Sequence, residues 1–162
     1  MAPDDVLALF AIFGFVFAAA YDAPDGGAQA RGSRRTLPPW VFEVVWAALY
    51  VCVALSASLF WMTRLATTTY FVAFLLLAIS VLLNRAWVVV YFRYNYYYAA
   101  FAVLAGILAT GVGYLVCVAL HEPGAYEIAA MILVLPYLAW LVAAFFLLHY
   151  AGPQVRKTGW GG

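Results

Sequence analysis

Charge is what this chain has least of. Only 9% of its 162 residues are Asp, Glu, Lys or Arg, while 69% are hydrophobic and the mean hydropathy is +0.98. A soluble domain carries roughly 25% charged residues, so the composition excludes that class and marks an integral membrane protein in contact with lipid. With a net charge of +1 and no long basic run, the chain has no electrostatic footprint for nucleic acid. Cysteine is almost absent. Cys52 and Cys117 both fall inside apolar segments and read as small buried hydrophobes, not as a disulfide or metal ligands. Catalytic signatures are missing as well: there is no P-loop, dinucleotide glycine fingerprint, nucleophile elbow or HExxH. No residue is therefore assigned as catalytic, no metal site is assigned and no cofactor is required. His121 stands in the turn HEPGAY without the further ligands that a metal would need. Few ionisable groups lie within the apolar runs, which argues against a proton-coupled pump.

What the chain does have is long apolar runs. Its length holds about five spans of roughly 20 residues with short connections, so the expected fold is all-α, a five-transmembrane-helix bundle forming one domain over 1–162. The helices are expected at about 5–21, 39–64, 67–92, 98–120 and 127–150. The first could be mistaken for a secretory signal, but Asp4 and Asp5 stand where a signal carries positive charge. Gly14 and Ala18 give that span a small-xxx-small step. Pro38 and Pro39 suit the first turn of the second helix. Between these spans lies a polar, glycine-containing connector with Arg31, Arg34 and Arg35, placed to meet anionic head groups or an acidic ligand at the bundle mouth.

Aromatic residues recur at helical spacing. Phe42, Trp46 and Tyr50 fall at four-residue steps on span two, a stripe that serves either as helix packing or as a platform for a planar ligand. Glu43 is one turn from that helix's start, where the dipole favours a carboxylate. Span three contains Asn84 and Arg85, the most costly residues to place in a bilayer. Arg85 is close enough to the helix end to snorkel toward the head groups beside Arg93. Asn84 is not, and Trp87 and Tyr91 follow it on one face; an interhelical hydrogen bond and a ligand pocket both fit that pattern. Tyr94, Tyr96, Tyr97 and Tyr98 read as an interfacial belt. In span four, Ala102, Gly106 and Thr110 form one small-residue row and Ala105, Ala109 and Gly113 the next, suited to a neighbour in the same chain or to a homodimer partner. Pro136 is expected to kink span five, with Tyr137 and Trp140 sharing a side just beyond it.

Six residues thus form the candidate ligand-binding set: Trp46, Tyr50, Asn84, Trp87, Tyr137 and Trp140. An aromatic lining with few polar handles is the usual makeup of a site for a flat apolar molecule. Topology follows from the basic residues. With five spans, Arg31, Arg34, Arg35, Arg93, Arg156 and Lys157 share one side against Arg64 on the other, which predicts a cytosolic C-terminus.

The segments Pro38-Pro39-Trp40-Val41-Phe42 with Trp46 and Leu49-Tyr50, then Leu83-Asn84-Arg85-Ala86-Trp87 with Tyr91-Phe92, then Pro136-Tyr137-Leu138-Ala139-Trp140-Leu141 resemble the signature stretches of the translocator protein family, TspO/MBR, the tryptophan-rich sensory or peripheral benzodiazepine receptor proteins. The resemblance runs through spans two to five in order. It implies a five-helix bundle, often dimeric, in a mitochondrial outer or bacterial membrane, that binds porphyrins such as protoporphyrin IX and haem. In some members cholesterol, other sterol-like molecules and benzodiazepine-type drugs are ligands, and some are proposed to degrade protoporphyrin IX in light. By that resemblance Trp46 and Asn84 correspond to residues that hydrogen-bond drug-like ligands, and Tyr50, Trp87 and Trp140 to the aromatic wall. The chain departs from the family pattern at Arg34-Arg35-Thr36-Leu37, where tryptophans are usual, and at Arg85, where an aromatic is common. Val88-Val89 stand where a proline is frequent, which implies a straighter span three. Leu148 replaces a late asparagine, yet Leu148, Tyr150 and Arg156 fit the spacing of a cholesterol-recognition pattern.

Overall fold

The computed structural model describes residues 8, 11–16, 39–63, 67–94, 96–121 and 124–157, with side chains described from 44 onward in the second helix and up to 146 in the last. All regular structure among these residues is helical. We number the elements α1 (11–16), α2 (Pro39–Met62), α3 (Thr68–Val88), α4 (Tyr97–Ala119) and α5 (Ala125–Lys157). Four stretches are long and apolar enough to cross a membrane: Val44–Met62, Thr68–Tyr91, Tyr97–Ala119 and Ala125–Phe146. Most of the expected first span lies outside the described residues. Its described part is helical, and Val16 is buried there with Ile12 and Phe13 packed against the core.

The helix limits follow local chemistry. α2 begins at Pro39, whose missing N–H costs nothing in a first turn. Thr67 caps α3 by accepting a hydrogen bond from Tyr70 N at 3.2 Å. Beyond Val88 the helix does not continue as a regular α-helix to Phe92, as the absence of proline implied. Val89–Arg93 widen into a π-turn, with Tyr94 N donating to Val89 O at 3.2 Å. α5 is one helix through Pro136, which lies on its exposed side, and its backbone stays helical past the expected end at 150.

Each span turns one face inward at the helical period. In α2 that face is Trp46, Tyr50, Val53, Ala57 and Phe60; in α5 it includes Glu127, Ala130, Val134, Tyr137 and Leu141. The outward faces are just as apolar, with Phe71, Leu75 and Leu82 of α3 and Ile132 and Leu135 of α5 exposed. Such a surface suits contact with lipid. Tyr94, Tyr96 and Tyr98 are exposed at the turn after α3, as an interfacial belt requires.

The main packing contacts run α3 on α4, α4 on α5 and α5 on α2. Glycines in α4 permit two of these approaches. A methyl group at Gly113 would come within 3.0 Å of Leu76 Cδ1, and one at Gly106 within 3.4 Å of Leu83 Cδ1, both on α3. The small residues Ala102, Ala105 and Ala109 instead face outward. The tightest point is Gly111, where a methyl would lie 2.8 Å from Leu138 Cδ2, 3.8 Å from Tyr137 Cε1 and 3.9 Å from Ser80 Oγ. Gly111→Val should therefore destabilise the bundle by about 1–3 kcal/mol through overpacking. A thermal midpoint in detergent equal to that of the parent protein would contradict this seating of α4.

Candidate functional site

The helices at the two ends of this packing row, α2 and α3, meet through side chains. Near one membrane face Phe60 of α2 packs on Tyr70 and Phe74 of α3, with ring centroids 5.1 and 5.6 Å apart. Toward the other face Trp46 of α2 meets Trp87 of α3 at 6.3 Å. Trp46 also contacts Tyr50 at 5.6 Å, and Trp87 stacks on Tyr91 at 5.2 Å with the planes 6° apart. Four aromatic rings are thus continuous across the α2–α3 boundary.

Directly beneath lies a fully buried side-chain amide. Asn84 is 0% exposed, and its Nδ2 donates to Tyr137 Oη of α5 at 3.2 Å. The Tyr137 hydroxyl is shared with Ser80 Oγ at 3.2 Å, and Ser80 Oγ in turn reaches the carbonyl of Ile107 on α4 at 3.5 Å. This is the interhelical hydrogen bond that a polar residue in a span is expected to find. It uses only half of the amide. Asn84 Oδ1 is buried and has no hydrogen-bond partner among the described residues. Trp140 Nε1 is in the same position, on a half-buried ring packed against the core.

Chain direction sets the levels. Successive spans alternate in direction, so α3 and α5 run parallel to each other and antiparallel to α2. Trp87 is one turn beyond Asn84, and Trp140 is about one turn beyond Tyr137 in the same sense, each turn rising about 5.4 Å. Trp46, in contact with Trp87, joins that level, and Tyr50 sits one turn below it on α2. The six residues of the candidate set therefore fall into two layers, three tryptophans over Tyr50, Asn84 and Tyr137. Direct contacts link Trp46 with Tyr50 and Trp87, and Asn84 with Tyr137.

Other sequence candidates fall elsewhere. Arg85 is exposed on the side of α3 away from Asn84, where its stem can run toward the head groups. The side chains of Phe42, Glu43, Leu148, Tyr150 and Arg156, and all of Arg31, Arg34 and Arg35, lie outside the described residues. Among the described residues no cluster of His, Cys, Asp and Glu could hold a metal ion. Sequence reasoning passed over Ser80, although it stands four residues before Asn84 on the face that also carries Trp87. That spacing of polar residues in an otherwise apolar helix was the available signal.

No curated protein matches the chain in sequence. The model of the TspO/MBR family matches residues 6–151. With nearly the whole chain inside that match, this membrane protein belongs to the TspO/MBR family.

Proposed function

We propose that the protein is a receptor- or transporter-like membrane protein that takes a flat apolar molecule between the tryptophan layer and the polar layer beneath it. Porphyrins, protoporphyrin IX and haem, are the first ligands to test; sterols and benzodiazepine-type molecules share the same requirements. The observation that carries the reading is a fully buried amide with an unpartnered oxygen, one turn below the Trp46–Trp87 contact. A buried orphan acceptor costs about 1–3 kcal/mol, and a ligand donor would relieve it. Stacking on the tryptophans supplies affinity, and the amide orients the ligand's polar edge. Family membership supports a membrane ligand-binding or transport-like role. The same reading treats 1–162 as a single five-helix domain with a cytosolic C-terminus. It offers the outward alanines of α4 to lipid or to the second copy in a homodimer.

The test is a titration of detergent-purified protein with protoporphyrin IX in the dark, following emission from its six tryptophans. Saturable quenching at micromolar ligand is expected. Trp140→Ala, on a half-buried ring, should weaken it by about two- to tenfold, the worth of one aromatic contact. An absence of saturable quenching in the parent protein rules porphyrin out as the ligand.

A further inference from the structure

The π-turn at the end of α3 changes which residues share a face. In an unbroken α-helix at about 3.6 residues per turn, Arg93 would stand about 80° round the axis from Arg85. The π-turn over Val89–Arg93 takes in one extra residue. Arg93 therefore occupies the angular place of the residue before it, about 20° from Arg85, and the two arginines lie on one face about 10 Å apart along the axis. Both are exposed. Leu82, about one turn before Arg85, and Leu75, about two turns before that, are 55% and 60% exposed on the same side. Tyr94 and Tyr96 are exposed just beyond Arg93, their rings stacked at 6.0 Å with the planes 18° apart. The column runs apolar, then basic, then aromatic, the order in which acyl chain, phosphate and head-group layer succeed one another in a leaflet.

From this juxtaposition we propose that the outward side of α3 binds an anionic phospholipid, its phosphate held between Arg85 and Arg93 and its acyl chains laid along Leu82 and Leu75. Charge selects the occupant. Two arginines on one face repel each other, the more strongly the less water screens them, and a phosphate between them replaces that repulsion by two attractions. Helical geometry allows the grip, because the Cα–Cβ bond of Arg93 tilts back toward Arg85, whose long stem can run up to meet it. A zwitterionic lipid carries its own cation and gains less. Arg85 stands on the side of α3 away from Asn84, so this site is separate from the aromatic one and does not depend on it.

Native mass spectrometry of the full-length protein in detergent, mixed with equal amounts of phosphatidylglycerol and phosphatidylcholine bearing the same acyl chains, reads which lipid is retained. At about fivefold per arginine beside an anionic head group, retention should favour phosphatidylglycerol by about thirtyfold. Arg85→Gln and Arg93→Gln should each lower that preference about fivefold. The variant that isolates the shared face combines Arg93→Gln with Tyr94→Arg, which keeps the net charge and the depth but moves the guanidinium about 100° round the axis. It should lose as much as Arg93→Gln alone. Full preference in that variant would mean that any arginine at the interface suffices, and would overturn the inference. Equal retention of both lipids by the parent protein would overturn it as well. So would displacement of the lipid by an equal concentration of glycerol 1-phosphate, because the head group alone would then be the ligand. If Arg85→Gln fails to fold, Arg93→Gln, beyond the α-helical part of the span, carries the same comparison.

Discussion

Tyr114→Ala should destabilise the bundle by about 3–5 kcal/mol, whereas Tyr114→Phe should cost no more than about 1–2 kcal/mol. Tyr114 is fully buried in α4, edge-on to Phe60 of α2 with ring centroids 6.2 Å apart. Its hydroxyl lies 3.0 Å from Ser56 Oγ, and Ser56 donates to the carbonyl of Ala130 on α5 at 2.7 Å. Because that bond uses the only proton of Ser56, Tyr114 is the donor to Ser56. One ring therefore ties α2, α4 and α5 together by packing and by hydrogen bonding, and the two variants separate these contributions. Truncation to alanine loses the ring's dispersion contacts and leaves a cavity in a close-packed interior. Replacement by phenylalanine loses one interhelical hydrogen bond, which in membranes is worth about 0.6 kcal/mol on average and at most about 1.7. Reversible unfolding in mixed micelles measures both. If phenylalanine cost as much as alanine, the hydroxyl and not the ring would be holding the helices.

The Tyr114 and Tyr137 clusters also explain what the sequence could and could not reveal. Helix extents were legible because proline, threonine and polar turns interrupt otherwise continuous apolar runs. The expected starts at 39 and 67 fall within one residue of Pro39 and Thr68, and the expected end at 120 beside Ala119. The π-turn at Val89–Arg93 had no such marker, since it is a change of hydrogen-bond register in residues that would equally suit an α-helix. Facing was harder still. In a soluble bundle hydrophobicity separates the inside from the outside, but here Leu75 and Leu82 face lipid while Leu77 and Val81 face the core, all on one helix. Only polar and small residues break that degeneracy, because hydrocarbon gives them no partner. Asn84 was conspicuous for that reason, and Ser56, Ser80 and Gly111 carried the same information more faintly. Which glycine of α4 marks the closest approach depends on Leu138 of another helix, so no reading of α4 alone could separate Gly111 from Gly106 and Gly113.

Asn84→Leu should separate folding from binding. Asparagine and leucine share the same branched side-chain skeleton, and the substitution removes an orphan acceptor from a fully buried position. Tyr137 loses one donor but keeps Ser80. Replacing a poorly satisfied buried polar group by an apolar one of similar shape is close to neutral or stabilising, so the ligand-free variant should melt within a few degrees of the parent protein or above it. Binding should respond in the opposite direction. Affinity for protoporphyrin IX is expected to fall by about tenfold or more as its polar edge loses the amide that orients it. A residue kept for stability would show a large drop in melting temperature with the affinity falling in parallel. The predicted pattern is the one expected where a membrane helix retains an amide at a cost to its fold because a ligand completes the amide's hydrogen bonds.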